Sequence, residues 1–402
     1  MRLLFLGLNH APEEIGIGPY SAGLLQTWVA AGNEADAVVA QPYYPQWRVF
    51  DGYRGGWSRS IEHGVRLVRC PLYVPRRPTG VRRILHHLSF AASSLGPMLW
   101  RAWRRRPELV MTVAPSLIAT PVALLAARLV GARTWLHVQD FELEAAQATG
   151  LVGGGLPSRM AARFERWVLG GFDRVSTISP QMCARLLAKG VPAERVVELR
   201  NWAEIDAIQP LEGPSPYRAE WAITAPHVAI YSGNIANKQG IEIVIEAARL
   251  LASRTDLAFV ICGEGPNRAN LERLAADLPI VQLRDLQPRA RLDDLLGLAS
   301  VHLLPQLADA ADLVLPSKMA NMLASGRPVV ATAAPGTGVA DEIAGCGIAV
   351  AAGDAHAFAA AIATLIDNPS RRANLGKAAR ARAEQHWSRG AILAHFLEMA
   401  KR

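Results

Sequence analysis

Two lysines, Lys238 and Lys318, each stand in a glycine- or proline-marked turn just before a helical pattern, a placement suited to a diphosphate. In LPSKMANMLASG, Pro316 and Ser317 precede an apolar-faced helix that ends at Gly326. Ser317 is the expected cap of that helix, with Lys318 supplying a point charge beside the free amides. In YSGNIANKQGIEIVIEAARLL an apolar strand runs into a turn holding Gly233, Asn234, Lys238 and Gly240, and then into a helix. CGEGPNRANLERL repeats the arrangement with Gly263, Glu264 and Gly265, and GIGPYSAGLL with Gly16, Gly18 and Pro19. Glycine lets a ligand approach the backbone, and proline is preorganised for a first helical turn. Any one of these stretches also reads as a tight turn or a capped helix with a solvated lysine. The Gly16–Gly18 turn is not the dinucleotide fingerprint, because a third glycine and a later ribose-binding acid are not correctly spaced.

Such turns act together only if parallel strands carry them to one side. Apolar runs at 3–8, 36–40, 65–70, 109–113, 133–138 and 174–179 alternate with helical patterns. A second series follows at 227–233, 257–263, 280–284, 301–305, 328–332 and 347–351. The alternation predicts two doubly wound α/β domains, joined through the proline-rich segment 201–226. The expected divisions are 1–205, 206–380 and a C-terminal helix over 381–402 packed at the domain junction. Ligands of such sheets bind beyond the carboxyl ends of the strands, so the expected site is a cleft between the domains.

A chain of 402 residues with 19% charged side chains has room for two ordinary cores. The cysteines Cys70, Cys183, Cys262 and Cys346 are scattered and lack zinc-like spacing, which predicts reduced thiols in a cytosolic protein without a metal centre. The N-terminal apolar run is too short for a signal peptide. The stretch 84–102 falls short of a membrane span, which needs about 20 predominantly apolar residues, because histidines, serines and a Gly-Pro pair interrupt it.

Charge is unevenly distributed. Residues 1–200 hold 24 Lys and Arg against 14 Asp and Glu, whereas the remaining 202 hold 19 against 21. Arg76, Arg77, Arg82 and Arg83 precede the apolar segment Ile84–Trp100, and Arg101, Arg104, Arg105 and Arg106 follow it. With Phe90, Trp100 and Trp103 they suit a surface docked on anionic lipid headgroups. The alternative is a solvated basic helix. No nucleic-acid module accompanies the charge, so nucleic acid is not an expected partner.

Taken with GIGPYS, QPYYPQW, RCPLYVP, HVQDFE, NWAEI, YSGNIANKQG and ADLVLPSKMANMLASG, the chain resembles the family 4 retaining glycosyltransferases of the GT-B fold, particularly the colanic-acid-type exopolysaccharide enzymes. The resemblance implies transfer of a sugar, with retained anomeric configuration, from a nucleotide-sugar (GDP-fucose or a UDP-hexose) to a hydroxyl. The acceptor would be a polyprenyl-diphosphate-linked saccharide at the inner leaflet of the plasma membrane, bound by the first domain. The second domain would hold the donor through Gly233, Asn234, Gly263, Glu264, Gly265, Pro316, Ser317 and Asn321, with Gly16 and Gly18 contributing from the first.

Lys238 and Lys318 would take the diphosphate, in place of an Arg and a Lys whose columns hold Asn234 and Gln239 here. Asn321 stands where the family's second glutamate falls, and the first falls near Asp312 without a match. An amide there still accepts from a ribose hydroxyl through its carbonyl, and donates through its nitrogen. The resemblance also makes His137 and Asp140 the sugar-contacting and acceptor-side groups, with Glu13 near the acceptor. No metal or cofactor is expected, since amides and basic side chains stabilise the departing diphosphate. Competing readings are a nucleotide-sugar epimerase or hydrolase on the same fold, and a non-catalytic nucleotide-binding membrane adaptor.

Overall fold

The computed structural model describes every residue except 15, 54–55, 77–78, 143–154, 204, 236–238 and 308–314, and of Pro157 and Ser317 it describes the backbone alone. Arg77, Lys238 and Asp312 therefore lie outside the described residues. The chain divides into two compact units, Met1–Arg200 with Leu393–Arg402, and Asn201–Ile392. The last residues are thus shared between the units at Ile392, not set apart from 381 onward as a piece of their own.

The first unit is built on an eight-stranded sheet. Its strands are β1 (Arg2–Gly7), β2 (Glu34–Ala40), β3 (Ser58–Glu62), β4 (Val65–Cys70), β5 (Leu109–Ala114), β6 (Arg133–Val138), β7 (Arg174–Thr177) and β8 (Val196–Glu198). Their order is β3-β4-β2-β1-β5-β6-β7-β8, parallel except for the β3/β4 hairpin. The central strands are unbroken apolar runs because helices cover both faces of a parallel sheet. All of β5 is buried, for example. The sequence does not announce β3, whose SRSIE is almost wholly exposed at the sheet edge, or β8, which is three residues long.

Helix α1 (Gly18–Ala30) follows β1, α2 (Gly80–Arg105) follows β4, and α3 (Thr120–Val130) follows β5. In α2 the buried side chains His86, Phe90, Ser94, Met98 and Arg101 recur at helical spacing and form one inward stripe. Pro97 cannot donate to the carbonyl of Ser93, four residues earlier. The indole of Trp57 takes that place, donating to Ser93 O at 3.0 Å. Among the described residues, no helix is long and apolar enough to cross a membrane.

The second unit carries a six-stranded parallel sheet. Its strands β9 (His227–Ser232), β10 (Leu257–Cys262), β11 (Val281–Arg284), β12 (Val301–Leu304), β13 (Val329–Thr332) and β14 (Gly347–Val350) run in the order β11-β10-β9-β12-β13-β14. The segment 201–226 is more than a linker. Ile205, Ile208, Tyr217 and Ile223 are buried in this unit's cores, and Ala203 N donates to Trp387 O at 2.9 Å. Prolines there set the path of the chain, while isolated apolar side chains without helical or strand periodicity anchor it. All four cysteines are free thiols.

Candidate active site

The carboxyl ends of β9 and β10 are held together by their glycines. Gly233 N donates to Cys262 O at 3.0 Å, and Ile235 N donates to Glu264 O at 2.8 Å. A Cβ on Gly263 would lie 1.9 Å from Gly233 O, and one on Gly265 would lie 2.2 Å from Ile235 O; both glycines have φ of +155°. Close backbone approach therefore requires glycine at both positions. Arg268 secures the second turn, donating from Nη1 to Gly263 O at 2.8 Å and pairing with Glu264 at 3.1 Å.

Lys318 meets this cradle from the helix Ser317–Ala324. Its Nζ lies 3.6 Å from the position a Cβ would take on Gly233, and 3.9 Å from the centroid of the Tyr231 ring. Tyr231 in turn donates its hydroxyl to Asn234 O at 2.6 Å. Burial pushes the Lys318 ammonium down to about 7, since desolvation penalises the charged form, and no carboxylate pairs with it among the described residues. Asn321 follows three residues later on the same helix face. Pro316, not Ser317, occupies the cap position, in an extended conformation. Ser317 is the first helical residue and not the cap position expected from sequence. Tyr231 and Arg268 escaped the sequence reading, although both belong to quoted motifs, YSGN and GEGPNR.

In the first unit, His137 is the buried penultimate residue of β6. Its Nδ1 donates to Ser176 Oγ at 2.8 Å, and Gln139 Nε2 donates to its Nε2 at 2.9 Å. Burial lowers its pKa to about 4, so the ring is neutral. Ser176 Oγ also accepts from Trp135 Nε1 at 2.8 Å. Asp140 follows Gln139 at the end of the strand, and beyond it Glu142 Oε1 accepts from the amides of Ser116 and Leu117.

Glu13, expected near the acceptor, is 2% exposed. Its Oε1 accepts from the amides of Tyr43 and Tyr44, both at 2.9 Å, and its Oε2 accepts from Asn9 at 2.9 Å. The two amides hold the QPYYPQW segment against the turn after β1. A Cβ on Gly18 would meet Glu13 O at 2.9 Å, and one on Gly16 would meet the Tyr44 ring at 3.1 Å. These glycines make room for that clamp.

The outward face of α2 also differs from expectation. Phe90 is fully buried in the core and is withdrawn from the lipid-facing set. Arg101 is buried and paired with Asp36. Arg105 is partly engaged by Glu34 at 2.9 Å and by Asp36 at 3.4 Å. Arg76, Arg82, Arg83, Arg104 and Arg106 remain exposed, beside exposed Val81, Ile84, Leu85, Leu88, Trp100 and Trp103.

Residues 16–202 match the glycosyl transferase 4-like domain, and residues 216–382 match the glycosyl transferases group 1 domain. The chain is 41% identical over 343 residues to an Escherichia coli (strain K12) protein described as a colanic acid biosynthesis glycosyl transferase, WcaI, covering 83% of each chain. Among solved structures it is similar to sucrose-phosphate synthase from Thermosynechococcus elongatus, with TM-score 0.71 and 18% identity, over 100% of this chain and 98% of that one. It is also similar to Anabaena HepE in complex with UDP, with TM-score 0.69 and 14% identity over 100% of both. With that identity running through both of its doubly wound domains, the chain belongs to the GT-B glycosyltransferases, as a glycosyl transferase 4-like domain followed by a group 1 domain.

Proposed function

We propose that this glycosyltransferase moves a sugar from a nucleotide-sugar to a hydroxyl of a polyprenyl-diphosphate-linked saccharide in exopolysaccharide biosynthesis, with retained anomeric configuration. The observation that carries the reading is the Lys318 ammonium, desolvated over the Tyr231 ring and set against the Gly233 backbone. A cation with no carboxylate partner among the described residues, beside glycine turns that admit no side chain, suits the diphosphate of a leaving nucleotide. Asn321, on the same helix face, accepts from a ribose hydroxyl. Lys238, of the YSGNIANKQG motif, is the second cation of this reading. As the glycosidic C–O bond to the diphosphate breaks, the acceptor oxygen bonds to the same face of the sugar carbon. Its proton passes to a phosphate oxygen of the leaving group.

Support for the biological setting comes from the 41% identity to the colanic acid relative. UDP and UDP-glucose are bound in the Anabaena structures, which keeps a UDP-hexose beside GDP-fucose as a donor. In the first unit, Asp140 serves the acceptor side. His137 acts through position, because a sugar hydroxyl reaches its Nε2 only if Gln139 gives way. The exposed arginines of α2, with Trp100 and Trp103, hold the enzyme at the inner leaflet, where the lipid-linked acceptor lies.

The test is transfer of labelled sugar to the lipid-linked saccharide by the full chain and by Lys318→Ala. Removing one oxyanion-type donor lowers turnover roughly 100- to 1,000-fold, and that loss is expected while the variant melts as the parent does. Full activity in folded Lys318→Ala overturns the assignment.

A further inference from the structure

The second unit holds a cavity of about 540 Å³ at the amino ends of its strands. His227 opens β9, Ser300 precedes β12 and Arg327 precedes β13, so the cavity lies at the opposite edge of the sheet from Gly233 and Lys318. Six residues of β9 separate the two edges by roughly 17 Å at about 3.3 Å per residue. Arg218 and Arg372 also line it, and no Asp or Glu does so among the described residues. The nearby carboxylates Asp256 and Asp367 are engaged by Arg254, at 2.6 and 2.7 Å.

Each arginine commits only part of its guanidinium to the fold. Arg372 Nη1 donates to Leu365 O at 2.8 Å and to Ile366 O at 2.9 Å. Arg218 donates to Ala225 O, and Arg327 Nη2 reaches Leu211 O at 3.4 Å. Arg327 Nε is buried without a partner. A guanidinium has five N–H donors, so several stay unspent around the cavity. The cations also oppose one another. After desolvation, Arg372 is the main charge holding both His227 and Arg327 below their ordinary values, and Arg218 adds to the effect on His227. The cavity is further lined by Pro369, the first residue of the 18-residue helix Pro369–His386, whose dipole adds positive potential at that end.

We propose that this basic cavity is a second anion site, which takes a small ligand bearing a phosphate or diphosphate through Arg218, Arg327, Arg372 and Ser300. Its volume lies within the range of small-molecule sites, about 300 to 1,000 Å³. Arg327 directly follows the turn that ends the Lys318 helix, so an anion held there reads out the far end of the element that carries the donor-site lysine.

Inorganic pyrophosphate is the probe, at constant ionic strength, with the full chain and with Lys318→Ala to silence the donor site. Hydrogen exchange is expected to show protection at 297–300 and 369–373 in both proteins. In the Lys318→Ala background, Arg327→Gln with Arg372→Gln is expected to weaken calorimetric binding at least tenfold. Arg218→Gln, which leaves the Pro369–His386 helix untouched, is expected to weaken it in the same direction and keeps the test valid if the double variant fails to fold. Protection confined to 233–235 and 316–321, absence of any protection, or unchanged affinity in folded variants overturns the proposal.

Discussion

Lys318 shows how one residue carries two opposed demands. Its ammonium gains from the ring of Tyr231 but loses water, and burial brings its pKa from 10.5 to about 7 in the free protein. Above pH 7 the unfolded chain holds this proton more firmly than the folded one. The contribution of Lys318 to stability therefore rises with pH from about 7 toward 10.5. A bound diphosphate reverses the preference and returns the proton to the lysine. At pH 8, calorimetry in buffers of different ionisation enthalpy is expected to show net proton uptake on nucleotide binding, absent in Lys318→Ala. Equal uptake by the two proteins would rule out this lysine as the phosphate's partner.

At the scale of the element, α2 separates two kinds of arginine that composition treats alike. Arg82, Arg83, Arg104 and Arg106 are exposed. Arg101 is buried against Asp36, which Arg66 also reaches at 2.8 Å. Each basic residue near an anionic bilayer is worth about 1 kcal/mol. Reversing the four exposed arginines to Glu is expected to release the protein from phosphatidylglycerol vesicles in a sedimentation assay, with its melting unchanged. Arg101→Ala is expected to cost about 3 kcal/mol of stability, since it strips a buried carboxylate of a partner, while the folded fraction still sediments with the vesicles. Retention of the fourfold variant on vesicles would count against lipid docking by this helix.

For the whole molecule, charge is divided unevenly, and the first 200 residues carry all of the excess positive charge. A ligand that binds only the folded state stabilises it by about 2.7 kcal/mol at one hundred times its dissociation constant. Among UDP- and GDP-sugars, one nucleotide is expected to raise the melting temperature clearly above the others. Equal shifts from both bases, or from neither, would contradict a donor site that reads its nucleotide.

Both sheets were legible in the sequence because a parallel strand covered on both faces must be an apolar run. The strands β9, β10, β12 and β13 of the second unit fall on such runs, whereas β3, exposed at an edge, and β8, three residues long, leave no such mark. The glycines at 263 and 265 were legible as turns, but only the structure gives their reason, which is a neighbouring carbonyl where a side chain would be. Sequence marked Phe90 and Arg101 by residue type alone, and burial decided otherwise, turning Phe90 into core and Arg101 into the partner of Asp36. Only the structure shows that Glu13, which the resemblance put near the acceptor, clamps two amides. Local patterning fixes which segments are strands and helices, since it depends on neighbours in the chain. The direction in which a side chain points and the partner it finds there depend on contacts between distant segments, such as Lys318 with Tyr231, which only the tertiary structure sets.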